Sequence, residues 1–124
     1  MDDGIRGLAR VYPIGSLDTS TAGVLEAHLD RLLADEGVTT VVLDLKDLAF
    51  ITSAGLRVII ATRKRLAARD GSVVIGNPQP QVAKVFAIVM ALPGVNVFEN
   101  DDELDAYLMN IQRKVYEDHR DKNA

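Results

Sequence analysis

The apolar positions of this chain change period several times, and each change marks an element. Leu8 to Ile14 is a short apolar run ended by Gly15, the pattern of a strand. Pro13 has no backbone N–H, which predicts an edge position or an early stop for that strand. Asp18, Thr19, Ser20 and Thr21 then offer side-chain oxygens to a helix N-terminus. Ala22, Leu25, Leu29, Leu32 and Leu33 recur at helical spacing, with Glu26, Asp30 and Arg31 between them. Gly37 ends that helix. Val38 to Leu45 is the clearest strand, rich in Val and Leu.

Leu56, Ile59, Ile60, Leu66 and Ala67 predict a second helix, closed by Gly71. Its cations, Arg57, Arg63, Lys64, Arg65 and Arg69, gather toward the C-terminal end, where they complement the helix dipole. Ser72 to Gly76 reads as a short buried strand, and Asn77 to Pro80 as a loop with Pro80 at a helix start. Val82, Val85, Phe86, Val89 and Leu92 line a third helix that Pro93-Gly94 ends. Val95 to Phe98 reads as a last strand. Asn100 or Asp101 then caps a helix carrying Leu104, Tyr107, Leu108, Ile111 and Val115. Ile60, Met90 and Leu92 fit the core by the same periodicity. Strands alternate with helices throughout, which predicts an α/β fold with parallel pairing through right-handed crossovers. No repeat or linker interrupts it. One domain is expected over residues 1–118, followed by a polar, fraying tail over 119–124.

Composition narrows the function classes. A chain of 124 residues, 48% hydrophobic and 26% charged, fits one soluble domain. Such a chain buries roughly two thirds of its unfolded surface. A formal charge of −4 disfavours nucleic acid as a partner. No cysteine is present, which removes disulfides, thiol catalysis and Cys-ligated metals. The acidic start MDDGIRG lacks the apolar core of a signal peptide. No run reaches the ~18 apolar residues of a membrane span. A cytoplasmic protein without membrane insertion is the expectation.

The usual catalytic constellations are missing. His28 lies within the first helix and His119 in the polar end, neither beside a motif that would make it a base or ligand. Ile51-Thr52-Ser53-Ala54-Gly55 lacks the first glycine of a nucleophile elbow. No phosphate-cradling glycine loop occurs. Asp44 and Asp47 stand near one strand end, too few to specify a cation site. A phosphate-receiving aspartate would need an acidic pair after the first strand, where Gly15-Ser16 stands, and a lysine after the last. Neither an enzyme nor a cofactor is expected.

What stands out is Phe50-Ile51-Thr52-Ser53-Ala54-Gly55-Leu56. Two hydroxyls and a glycine follow a buried strand and open an amphipathic helix. One hydroxyl suffices to cap a helix, worth ~1 kcal/mol. Ser53 is expected to be exposed at the helix N-terminus. Gly55 is expected to serve a tight turn.

The stretch from Val42 to Leu56 resembles the signature of the STAS domain, which occurs in anti-sigma factor antagonists and in sulphate-transporter tails. Gly15-Ser16-Leu17-Asp18 is similar to that family's turn before the first helix. Gly71, Val73 to Ile75, and Val82 to Phe86 also fall at family positions, so the resemblance spans about residues 7–110. It implies a STAS fold with a small, mostly parallel or mixed sheet of four to five strands and about four helices. It also implies an antagonist that binds an anti-sigma factor serine/threonine kinase and lets go once phosphorylated, with a serine phosphatase restoring it. Ser53 matches the acceptor serine, with Thr52 a minor alternative. Asp18, Asp44, Thr52, Ala54, Gly55 and Leu56 match positions at or beside the partner surface. Many members carry Asp where Thr52 stands, and Ser or Thr where Ala54 stands. The other function open to the family is a scaffold or accessory subunit of a transporter or signalling assembly, without phosphorylation.

Overall fold

The computed structural model describes residues 7–91 and 101–123. Its elements run β1 (Leu8–Val11), β2 (Gly15–Leu17), α1 (Ala22–Leu33), β3 (Thr40–Asp44), β4 (Leu48–Ile51), α2 (Ser53–Ala67), β5 (Ser72–Gly76), α3 (Pro80–Ala91) and α4 (Asp101–Asn123). This is the expected α/β architecture, and among the described residues there are four helices and every strand pairing is parallel. The strands form two sheets: β1-β3-β5, and β2 with β4. The strand expected over Val95 to Phe98 lies outside the described residues.

The two sheets arise from two breaks in apolar runs. Leu8 to Ile14 yields only β1, because Pro13 offers no N–H to a ladder. The chain resumes as β2, which pairs with β4 rather than β3. In the second break Leu48 N–H bonds back to the Leu45 carbonyl (3.1 Å), a tight turn that separates β4 from β3. β4 therefore emerges from a stretch whose sequence reads as a turn into the helix.

β3 is the central strand of its sheet, and Val41, Val42 and Leu43 are all buried. A parallel strand covered on both faces has this continuous burial. Leu29 and Leu33 of α1 and Leu56 and Leu66 of α2 complete the core around it. Arg69, just past α2, donates to the carbonyls of Leu33 (2.6 Å), Val38 (3.0 Å) and Asp35 (3.1 Å). It satisfies acceptors that the end of α1 leaves open. α4 extends through Asn123, so the polar end expected to fray is helical. No helix among the described residues is long and apolar enough to cross a membrane.

Candidate functional site

The site lies where β4 passes into α2. Thr52 is the N-cap residue, with extended backbone at φ −110° and ψ 177°. Its hydroxyl does not cap the helix. Thr52 instead donates from both its N–H (2.8 Å) and its Oγ1 (3.0 Å) to the Leu17 carbonyl. That pair of hydrogen bonds fixes the turn to the end of β2. Leu17 pairs in register with Ile51, so Asp18 follows Leu17 at the same edge as Thr52.

Ser53 is the first residue of α2, where backbone N–H groups have no partner within the helix. The expectation of an exposed serine is corrected here: Ser53 is 3% exposed. α4 supplies one contact here. The Ser53 N–H donates to Asp105 Oδ1 at 2.9 Å. A carboxylate at this position also complements the positive end of the α2 dipole. Two residues earlier, Gln112 of α4 is fully buried. It accepts from the Ile51 N–H (2.8 Å) and donates to the Ile51 carbonyl (2.7 Å). The rings of Phe50 and Tyr116 meet at 5.6 Å between centroids. Asp105, Gln112 and Tyr116 escaped the sequence reading. Their signal was their spacing: with Leu108 they fall at intervals of three, four and four, one helical face.

Gly55 is buried for a reason other than a turn. A Cβ there would come within 2.7 Å of Leu17 Cβ and 3.1 Å of Ile51 Cγ1. The glycine lets α2 lie directly on the β2–β4 pair. Leu56, expected beside a partner surface, is 2% exposed and belongs to the core. Gly55 and Leu56 therefore position the turn rather than present side chains. Ala54 is half-buried against the core.

Asp18 is built into the turn before α1. Its Oδ1 accepts from the Ser20 N–H (2.9 Å), the Ser20 hydroxyl (2.7 Å) and the Thr21 N–H (3.1 Å). Thr21 Oγ1 in turn accepts from the Asp18 N–H at 2.9 Å. This reciprocal pair works as a capping box does. The Ser20 hydroxyl and then the Ser20 N–H, with the Thr21 donors adding less, hold the Asp18 carboxyl below its ordinary value against the opposing effect of burial. Asp44 lies elsewhere, at the end of β3, where it accepts from the Lys46 N–H (3.2 Å) and Asn77 Nδ2 (3.4 Å). The structure thus brings Asp18, Thr52 and Ser53 to one edge and ties Asp44 to the end of the β3–β5 pair.

Residues 3–104 match the family model of the STAS domain. A putative anti-sigma factor antagonist, BtrV, of Bordetella bronchiseptica is 38% identical over 86 residues, covering 69% of this chain and 73% of that protein. The anti-sigma F factor antagonist of Lysinibacillus sphaericus is 29% identical over 72 residues, 58% of this chain and 62% of its own. Among solved structures, the antagonist SpoIIAA in its unphosphorylated form aligns with a TM-score of 0.60 at 24% identity, covering 70% of this chain and 79% of that one. An anti-sigma factor antagonist from Mycobacterium paratuberculosis aligns with a TM-score of 0.55 at 24% identity over 86% of this chain and 90% of that one. These structures share the fold.

Proposed function

The chain belongs to the STAS domain family, and on that premise we propose that it is an anti-sigma factor antagonist switched by phosphorylation of Ser53. In this reading the unphosphorylated protein binds an anti-sigma factor that is also a serine/threonine kinase. Phosphate on Ser53 ends the binding, and a serine phosphatase restores it. The protein is a cytoplasmic regulator with no catalytic residues of its own. The observation that carries the reading is the placement of Ser53 as the first residue of α2, on the β4–α2 turn that Thr52 ties to Leu17. The naming of the 38% identical relative as a putative anti-sigma factor antagonist supports it.

The switch would be electrostatic. Phosphoserine adds about −1.5 to −2 charge and three acceptor oxygens. The start of α2 favours that charge through its dipole and free N–H groups. A partner covering Asp18, Thr52 and Ser53 would have to desolvate it. A penalty of only about 3 kcal/mol exceeds a hundredfold in affinity. Asp44 would meet the partner further along, at the β3–β5 end, and Ala54, Gly55 and Leu56 would shape the turn beneath.

The test uses the anti-sigma factor kinase encoded in the same genome. Ser53→Ala is expected to bind that kinase and take up no phosphate from ATP by intact mass. Ser53→Asp is expected to bind at least ~100-fold more weakly, the equivalent of the penalty above. Tight binding by Ser53→Asp would overturn the charge switch, and phosphate on Thr52 would move the acceptor. The burial of Ser53 favours a second reading, a scaffold or accessory STAS subunit without phosphorylation. Absence of any mass gain, in the wild-type protein and in Tyr116→Ala alike, would select it.

A further inference from the structure

We propose that α4 is an autoinhibitory cap over the start of α2: it must swing away before Ser53 can be modified, and phosphate on Ser53 then keeps it away. The second half rests on the reading of Ser53 as the acceptor; the first does not.

The contacts converge on one short segment. Tyr116 packs on Phe50, Gln112 bonds both backbone groups of Ile51, and Asp105 takes the Ser53 N–H. The segment itself is anchored from its other side, by the β2–β4 pairing, by the two bonds from Thr52 to Leu17, and by the close fit of Gly55 on Leu17. The turn is therefore the fixed member, and moving α4 off it is a local opening that must also disturb Leu104 and Leu108, which α4 packs into the core. A kinase must bring the attacking hydroxyl in line with a γ-phosphate, which a serine at 3% exposure does not permit. Phosphate and the Asp105 carboxylate also suit the same place. Both are anions drawn to the free N–H groups at the start of α2. Once phosphate is on Ser53, Asp105 faces a like charge at the same helix start, which weakens its bond to the Ser53 N–H.

The chain has no cysteine, so Ser53→Cys carries a single thiol of nearly the same shape as the native side chain. Its reaction with N-ethylmaleimide reads access to position 53 without a kinase. Glu36→Cys, at an exposed site, gives the open reference. Ser53→Cys is expected to react at least ~100-fold more slowly than Glu36→Cys, because reaction waits on a local opening. Adding Tyr116→Ala to Ser53→Cys is expected to speed it at least ~10-fold with a cooperative melt retained. Tyr116→Ala alters no charge near the thiol, so no nearby charge shifts its pKa, and any change in reactivity reports how far position 53 is uncovered. Asp105→Asn is expected to act in the same direction. Reaction of Ser53→Cys within about threefold of the reference would overturn the cap, and needs no second substitution that might disturb folding. Phosphate uptake from the kinase separates the two readings. Acceleration by Tyr116→Ala with no phosphate on any protein supports the cap and sinks the acceptor. Equal phosphate uptake by wild type and Tyr116→Ala, with no acceleration of labelling, sinks the cap and leaves the acceptor standing.

Discussion

Asp18 shows how one carboxylate can carry a structural and a recognition role that a single substitution separates. Its Oδ1 gathers the Ser20 and Thr21 donors that shape the turn into α1. Asn keeps an acceptor oxygen at that position and removes the charge. Asp18→Asn is therefore expected to shift Tm at neutral pH by at most a few degrees while weakening partner binding at least ~10-fold. The acid limb gives an independent check. The folded-state pKa of Asp18 is lowered, so its contribution is present above the unfolded value of about 4 and is lost as pH falls through the lower folded value. Melts from pH 6 down to pH 2.5, about the range that brackets such a titration, should show a shallower acid-side loss in Asp18→Asn than in wild type. Equal slopes would remove Asp18 from the acid response, and a larger effect on Tm than on binding would make it a helix cap alone. At this scale the sequence was a good guide to which residues matter and a poorer one to why. Ser53, Thr52 and Gly55 stood out by type and order. The hydroxyl of Thr52 turned out to bond across the sheet to Leu17, and Gly55 to be required by close approach. Both reasons involve a residue more than thirty positions away, which local pattern does not reach.

At the scale of elements, β4 is completed on its outer edge by side-chain amides. Gln81 Nε2 donates to the Ala49 carbonyl (2.7 Å), and Gln112 bonds both groups of Ile51. α3 and α4 thus close an edge that another strand would otherwise occupy, which blunts its tendency to pair with other chains. Gln112→Ala would leave the Ile51 N–H and carbonyl buried without partners. Each such group costs about 1–3 kcal/mol, so urea unfolding is expected to show a loss of about 2–5 kcal/mol at similar m-value. A loss under about 1 kcal/mol would mean that water enters and replaces the amide. The sequence placed the helix of Gln112 correctly, and Leu104, Leu108 and Ile111 join or pack against the core as their periodicity expects. Periodicity counted Leu104, Tyr107, Leu108, Ile111 and Val115, whereas Tyr107 is 37% exposed and Gln112 fully buried. A polar side chain is buried where it finds partners, and those of Gln112 are on β4. The same limit explains β4 itself, a four-residue strand whose ladder depends on β2. The long, strongly periodic helices and the continuous apolar run of β3 were legible because their signals are local.

Across the whole molecule, the two sheets are held in different ways. β3 is buried on both faces between β1 and β5, with α1 and α2 packed around it. The β2–β4 pair has one ladder, and its other side is closed by α3 and α4, whose Val82, Val85, Leu104 and Leu108 join the core and whose Gln81, Gln112 and Asp105 bond to the β4–α2 segment. Burial of apolar surface dominates folding energy, while a net hydrogen bond contributes only about 1 kcal/mol. The hydrogen bonds that Gln112 and Asp105 make to Ile51 and Ser53 should therefore open at a lower free energy than the core of the three-stranded sheet. Native-state hydrogen exchange in low urea can resolve this, because sub-global openings expose less surface and depend weakly on denaturant. The amides of Val41 and Leu43 are expected to exchange with the free energy and m-value of global unfolding. The amides of Ile51 and Ser53, bonded to α4, are expected to exchange earlier and with a smaller m-value, and Tyr116→Ala should lower their protection while leaving Val41 and Leu43 tracking the global transition. Should all four amides exchange at one free energy and one m-value, α4 would be part of a single cooperative unit, and access to Ser53 would require unfolding of the whole domain.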